Sequence, residues 1–190
     1  MARQKYQGAP WLYDETTGDI VGVKDPDGSE FFWARSANYS LFRDMSDQTA
    51  SANTPTAIEF DTPLIQNGIT ISSGTDLVFD RGGVFNFTLS MRIENTDNQI
   101  HNFYLWGRLN DLDLQGSLSR TSIPESHGGV PGAIVLERSY FAPIAKNDTI
   151  KVMWMTDNTG VILQASDAVV GPPALPSGSS ATLAVYEVAA

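Results

Sequence analysis

The chain contains no cysteine in its 190 residues. This excludes a disulfide, a thiolate nucleophile and a zinc site built on cysteine. A secreted β-domain of this size often carries a disulfide, so its absence favours assembly in a cytoplasm. No run approaches about eighteen apolar residues, and the N-terminus lacks the apolar core of a signal peptide. We therefore expect a soluble protein that is made inside a cell and spans no membrane.

Basic residues are scarce. Twelve Lys and Arg stand against 22 Asp and Glu, which gives a formal net charge of −10. No basic stripe offsets this charge, so we expect no nucleic-acid partner, because phosphate backbones are bound by clustered Lys and Arg. Anionic membrane surfaces are disfavoured for the same reason. A strong negative charge suits a particle that stays dispersed.

Catalytic signatures are also missing. There is no nucleophile elbow, P-loop or dinucleotide fingerprint, and His101 and His127 have no zinc-ligand spacing, so we interpret both as surface polar residues. Residues 25–30 resemble the start of a calcium loop but lack its later ligands, which favours a turn, with a weak cation contact as the alternative. Asp111 and Asp113 could serve as a glycosidase pair, but acidic residues are common in β-turns. We expect no catalytic residue, metal or cofactor.

The strongest positive signal is the alternation in residues 83–93, GVFNFTLSMRI. Successive side chains of a strand point to opposite faces, so this period predicts a strand with one buried side. Further strands at regular spacing, without an amphipathic helix, predict an all-β sandwich or barrel. The buried side comprises Phe85, Phe87, Leu89, Met91 and Ile93. The other predicted strands are residues 39–42, 57–60, 69–71, 77–79, 102–109, 132–141, 149–155, 161–164 and 182–188, with 115–131 and 171–180 irregular.

The first 36 residues form a separate segment, and residues 37–190 form the main domain. Turn signals at residues 15–18 and 25–28 separate three short apolar runs, which predicts a small β-meander. Three short strands cannot build an independent core. Their aromatic rings must therefore be buried against another copy, the main domain or a larger partner. These rings belong to Trp11, Tyr13, Phe31, Phe32 and Trp33.

Several predicted strands are apolar on both faces. A two-layer sandwich buries only the inner face of each sheet, so a second apolar face predicts cover by a neighbouring subunit. Cover by loops of the same chain is the alternative. The second-face residues are Tyr104, Trp106, Met153, Met155 and Tyr186.

Three local patterns occur in order: GVF at residues 83–85, WGRLN at 106–110 and AKNDTIKVMW at 145–154. Their order and spacing resemble the C1q/TNF-like jelly-roll domains common in bacteriophage virion proteins, over residues 38–188. The resemblance implies a ten-strand jelly roll that forms a homotrimer, with Tyr104, Trp106, Met153, Met155 and Tyr186 as candidates for its interface. Asp111 and Asn147 replace turn glycines of the pattern, and both residue types tolerate positive φ.

The segment YDETTGDIVGVKDPDGSEFFW, residues 13–33, resembles N-terminal attachment segments of phage fibre and head-decoration proteins. This implies that Trp11, Tyr13, Phe31, Phe32 and Trp33 attach the chain to a capsid or form a threefold bundle.

The function implied is a non-enzymatic virion structural protein: a trimeric capsid decoration or cement protein. It would be assembled in the host cytoplasm and bound to the major capsid protein on the capsid surface. The alternatives are a tail or head fibre tip that recognises a host surface glycan through residues 115–131, and a trimeric C1q-like module with a small protein ligand.

Overall fold

The computed structural model describes residues 11–13, 20–24, 30–32 and 37–189. The chain forms two compact units, Met1–Ala37 and Asn38–Ala190. In the first unit, β1 (Trp11–Tyr13), β2 (Ile20–Lys24) and β3 (Glu30–Phe32) form an antiparallel sheet in that order. The meander strands thus lie where the sequence predicts them, whereas Trp33 and both predicted turns lie outside the described residues.

The second unit contains thirteen described strands. They are β4 (Tyr39–Asp44), β5 (Thr56–Ala57), β6 (Thr62–Asn67), β7 (Ile69–Ser72), β8 (Asp76–Phe79), β9 (Gly83–Asn95), β10 (His101–Leu109), β11 (Leu112–Asp113), β12 (Ser119–Ile123), β13 (Gly132–Ile144), β14 (Thr149–Thr156), β15 (Val161–Leu163) and β16 (Ala181–Ala189).

These strands form a sandwich of two antiparallel sheets. The front sheet has the order β13-β9-β16-β4-β6, with β15 also paired to β9. The back sheet has the order β11-β10-β14-β8-β7, with β12 on β10 and β5 on β14. No helix occurs within the described residues, and the all-β sandwich prediction is confirmed.

The alternation in β9 places its apolar side in the core, as predicted. All five of its predicted inward residues are buried. In the back sheet, Phe103 of β10 and Trp154 of β14 are fully buried and their rings stack with centroids 5.5 Å apart. The core therefore lies between the two sheets, where each fully buried large side chain contributes about 1.5–3 kcal/mol.

Three of the strands, β6, β11 and β12, were not predicted from the sequence. β6 begins Thr-Pro and most of its side chains are exposed, so it has no alternating apolar signal. β12 lies inside the stretch predicted as irregular, and only Ile123 at its end is buried; β11 has two residues.

The strand predicted at residues 57–60 is shorter in the structure. Only Ala57 of these four residues belongs to a strand, β5, although Ile58 and Phe60 are buried. Their backbone N–H groups donate single hydrogen bonds to Val152 and Gly74.

Non-glycine residues adopt positive φ at two of the predicted turns. Asn110 (φ 48°) and Asp111 (φ 64°) form the two-residue loop between β10 and β11. Two successive positive φ values at a tight hairpin define a type I′ turn, which matches the twist of the strands. Asn147 precedes β14 with φ 67°. The tolerance of positive φ predicted for Asp111 and Asn147 is confirmed.

The turn at Asn147 yields a stability prediction. Asn147→Ala should lower the free energy of unfolding by about 1 kcal/mol. Alanine has a Cβ, which is strained at positive φ, and it lacks the side-chain amide whose local hydrogen bonds allow asparagine to adopt this conformation. Asn147→Gly should stay within about 0.5 kcal/mol of the wild type, as should Lys146→Ala at the adjacent exposed position. Urea denaturation measures all three. Equal stability of the Asn147→Ala and Asn147→Gly variants would contradict the role assigned to this backbone conformation.

Candidate functional site

The outer face of the front sheet carries exposed aromatic side chains. Tyr186 of β16 pairs with Tyr39 of β4 on one side and with Asn86 of β9 on the other. Asn86 in turn pairs with Phe141 of β13. Directly paired residues share one face, so these side chains form a row across four strands. Tyr39 is 48% exposed, Tyr186 45% and Phe141 63%. Contiguous exposed apolar side chains mark interaction sites more often than isolated ones do.

A second row lies beside the first. Ile65 of β6 pairs with Leu41 of β4, and Ile65 is 48% exposed. We call Tyr39, Ile65, Phe141 and Tyr186 together the aromatic face. It is an apolar surface that the described residues of one chain leave open to solvent.

A hydrogen-bonded group lies within the aromatic face. Asn86 is only 3% exposed. Its Nδ2 donates to Ser139 Oγ over 3.1 Å, and Thr88 Oγ1 donates to Asn86 Oδ1 over 2.9 Å. Because a buried amide with satisfied hydrogen bonds holds one orientation, Asn86 gives the centre of this surface a defined shape.

The outer face of the back sheet carries four of the predicted interface residues. Tyr104 pairs with Met155, and Trp106 pairs with Met153, between β10 and β14. Met153 is buried, whereas the other three are half-buried. Ala57 of β5 pairs with Met153 on the side away from β10. This surface is therefore more fully covered by its own chain than the aromatic face is.

Ion pairs border the back-sheet surface. Trp106 Nε1 and Arg108 Nε both donate to Asp113 Oδ1, over 2.8 and 2.7 Å. Lys151 Nζ lies 2.8 Å from Asp111 Oδ1. The hydrogen bonds from Arg108 and Trp106 lower the pKa of Asp113. The hydrogen bond from Lys151 and its charge lower the pKa of Asp111.

The hydrogen bond to Asp111, followed by that to Asp76, raises the pKa of Lys151. A glycosidase pair needs one carboxyl group with a raised pKa to act as the acid. Asp111 and Asp113 both have lowered pKa values and both are paired with cations, so their arrangement suits hairpin stabilisation instead.

The predicted interface residues therefore lie on two different surfaces. Tyr104, Trp106, Met153 and Met155 share the outer face of the back sheet, whereas Tyr186 belongs to the aromatic face of the front sheet. Sequence reasoning missed the remaining members of the aromatic face. Their signal is weak, since β6 lacks alternation and the pairing of β16 with both β4 and β9 is not a local feature of the sequence.

The predicted attachment residues lie in the first unit. Trp11 and Tyr13 belong to β1, and Phe31 and Phe32 belong to β3. The Cα positions of Trp11 and Phe31 both pair with Val23 of β2. Trp33 lies outside the described residues.

His101 is less exposed than predicted. Its side chain is 13% exposed, and its Nδ1 lies 3.0 Å from Asp157 Oδ1. Asp157 also accepts hydrogen bonds from the backbone and side-chain nitrogens of Asn102. Burial tends to raise the pKa of Asp157, but the Asn102 hydrogen bonds and the proximity of His101 leave it lowered overall. His127 is exposed in a loop, as predicted.

No group of three His, Asp or Glu side chains among the described residues could hold a metal ion. The same part of the chain contains no helix that is long and apolar enough to cross a membrane.

Comparison with known proteins identifies the fold. No protein-family model matches the chain, and no curated protein sequence matches it. Among solved structures, that of Eiger TNF from S. frugiperda is similar, with a TM-score of 0.53 and 8% sequence identity. The match covers 81% of this chain and 94% of the Eiger chain. At this identity the likeness shows the fold alone: the sandwich is a TNF-like jelly roll, as the sequence resemblance implied.

The Asp157 cluster predicts a pH dependence of stability. The lowered pKa means that its contribution is present above the ordinary aspartate pKa of about 3.9 and is lost as pH falls through the lower folded value. Between about pH 5 and about pH 2, the wild type should lose more free energy of unfolding than Asp157→Asn loses. Asp167→Asn, at an exposed position, should follow the wild type. Parallel acid profiles for Asp157→Asn and the wild type would contradict this assignment.

Proposed function

We propose that this protein is a non-enzymatic structural protein of a bacteriophage virion, which decorates or cements the capsid as a homotrimer. The observation that supports it most is the aromatic face, an apolar surface left open on a TNF-like jelly roll. A protein that works by adding contact area between capsid subunits needs such surfaces and needs no catalytic centre.

The aromatic face is the surface through which we propose that the copies associate. Tyr39, Tyr186 and Phe141 are about half exposed or more in the single chain. Burial of a large apolar side chain contributes about 1.5–3 kcal/mol, so a few rings per copy suffice for stable association. Of the five interface residues predicted from the sequence, Tyr186 is the one that lies in the aromatic face. On the back sheet, Met153 is buried within its own chain, and Tyr104, Trp106 and Met155 are half-buried.

The first unit is the proposed attachment arm for the major capsid protein. It is a compact unit of its own, with a three-stranded sheet. A sheet of three short strands is too small for an independent core, and its sequence carries Trp11, Tyr13, Phe31, Phe32 and Trp33. These rings favour a role in which a larger partner buries them.

The net charge of −10 supports a place on the outside of a particle. Negative charge keeps particles dispersed and repels released DNA. Assembly on the capsid would take place in the host cytoplasm, which suits a chain without cysteine.

The proposal is tested by co-sedimentation with capsids that lack this protein. The full chain should sediment with them, whereas residues 37–190 alone should not. Phe31→Ser together with Phe32→Ser should weaken binding at least about tenfold, since two buried rings are lost. Leu118→Ser, the same kind of change at an exposed position of the second unit, should bind as the wild type does.

Binding of residues 37–190 equal to that of the full chain would show that the arm is not the attachment module. Saturable binding on a glycan array, without any capsid binding, would favour the fibre-tip function instead.

A further inference from the structure

The jelly roll contains an open apolar cavity of about 300 Å³ between its two sheets. Phe87, Leu89 and Leu183 line it from the front sheet, and Leu105, Ile150 and Val152 line it from the back sheet. Ligand sites are typically concave and mostly apolar, with a few placed polar groups, and their volumes begin at about 300 Å³. The cavity thus has the size and lining of a small-molecule site.

The cavity lies where the sandwich is open beneath residues 138–140 of β13, although Leu136 and Ala142 on the same face are buried. Arg138 and Tyr140 pair with the buried Leu89 and Phe87, which places them on the inner face, yet both are exposed. Gly107 of β10 also lines the cavity, and the Leu114 side chain occupies the space where a side chain of residue 107 would stand. A Cβ there would lie 3.1 Å from Leu114 Cδ1.

Polar groups form the rim of the cavity. The Tyr140 hydroxyl donates to the Gly116 carbonyl oxygen over 2.6 Å, which ties β13 to the segment between β11 and β12. Arg138 lies beside it as a lining residue. The mouth is therefore held by a hydrogen bond and carries a cation.

Among the described residues of this unit, Arg43, Arg120 and Arg138 have no carboxylate partner, and of these three Arg138 lines the cavity. Arg92 and Arg108 each bind a carboxylate at 2.6–2.7 Å. No carboxylate among the described residues pairs with Arg138, whose guanidinium has only a 3.5 Å contact with the Glu137 carbonyl oxygen. That distance is too long for a strong hydrogen bond. Lys151, the other cation of the lining, is paired with Asp76 and Asp111.

We propose that this cavity binds an amphipathic carboxylate with an unbranched apolar tail of about eight carbons. The tail lies between the sheets and the carboxylate accepts hydrogen bonds from Arg138. The volume is about twice that of an engineered cavity of about 150 Å³ that accepts benzene, which sets the tail length. An arginine guanidinium matches a carboxylate in charge and in two-point geometry.

Calorimetric titration of the full chain with octanoate, 1-octanol and octylamine tests this site. Octanoate should bind with one ligand per chain, about tenfold more tightly than octanol, because only the carboxylate gains the charge-assisted hydrogen bonds. Octylamine should bind more weakly than octanol, since its ammonium group faces Arg138. Equal binding of all three would overturn the proposed anionic ligand.

Two variants separate the head group from the tail. Arg138→Gln should reduce octanoate affinity to that of octanol, whereas Arg120→Gln, the same charge change on the outer face of the back sheet, should leave it unchanged. Ala142→Leu adds volume to the lining and should abolish binding of both ligands. Absence of saturable octanoate binding, or unchanged binding in Arg138→Gln, would overturn the proposal. Arg138→Gln changes an exposed residue, so the test stands if Ala142→Leu fails to fold.

Discussion

The register of β9 is the constraint on which the rest of the jelly roll depends. β9 pairs with β13 along its whole length and with β16 on its other side. Because strand side chains alternate between faces, a shift by one residue would turn every inward side chain of β9 to solvent. The buried row from Phe85 to Ile93 makes such a shift very costly. The same register therefore determines which residues of β13 and β16 face outward.

Two surface features follow from this register. The outward residues at one end of the front sheet are aromatic, which produces the aromatic face. The inward residues of β13 include Arg138 and Tyr140, which are exposed and line the cavity. The first feature suits association with further copies, and the second opens a cavity into the core. Both features depend on which side chains of β13 and β16 the register of β9 places on each face of the front sheet.

The fold was largely predictable from local sequence. Alternation identified the long strands, and the Asn and Asp residues at turn positions predicted the positive φ values at Asp111 and Asn147. β6 and β12 were missed because nearly all their side chains are exposed or half-buried, so neither sequence alternates between apolar and polar residues. At residues 57–60 the apolar pattern correctly indicated burial, but burial does not require a complete strand.

The surfaces were less predictable than the fold. Alternation along a strand shows that Tyr104 and Tyr186 each lie on the face of their strand that points away from the core. It does not show which of the two sheets each strand belongs to. That depends on pairing between distant segments: β16 lies between β4 and β9. The unpaired Arg138 has no local signal either, because its lack of a carboxylate partner among the described residues is a property of the assembled sheets.

The solution mass of the full chain, measured by light scattering on a sizing column, tests the proposed trimer most directly. The proposed association through the aromatic face predicts three times the chain mass of 20.6 kDa. It also predicts that Tyr186→Glu falls to one chain mass, whereas Tyr104→Glu, on the back sheet, keeps the trimer mass. A monomeric wild type, or a trimer that survives Tyr186→Glu and is lost in Tyr104→Glu, would contradict it.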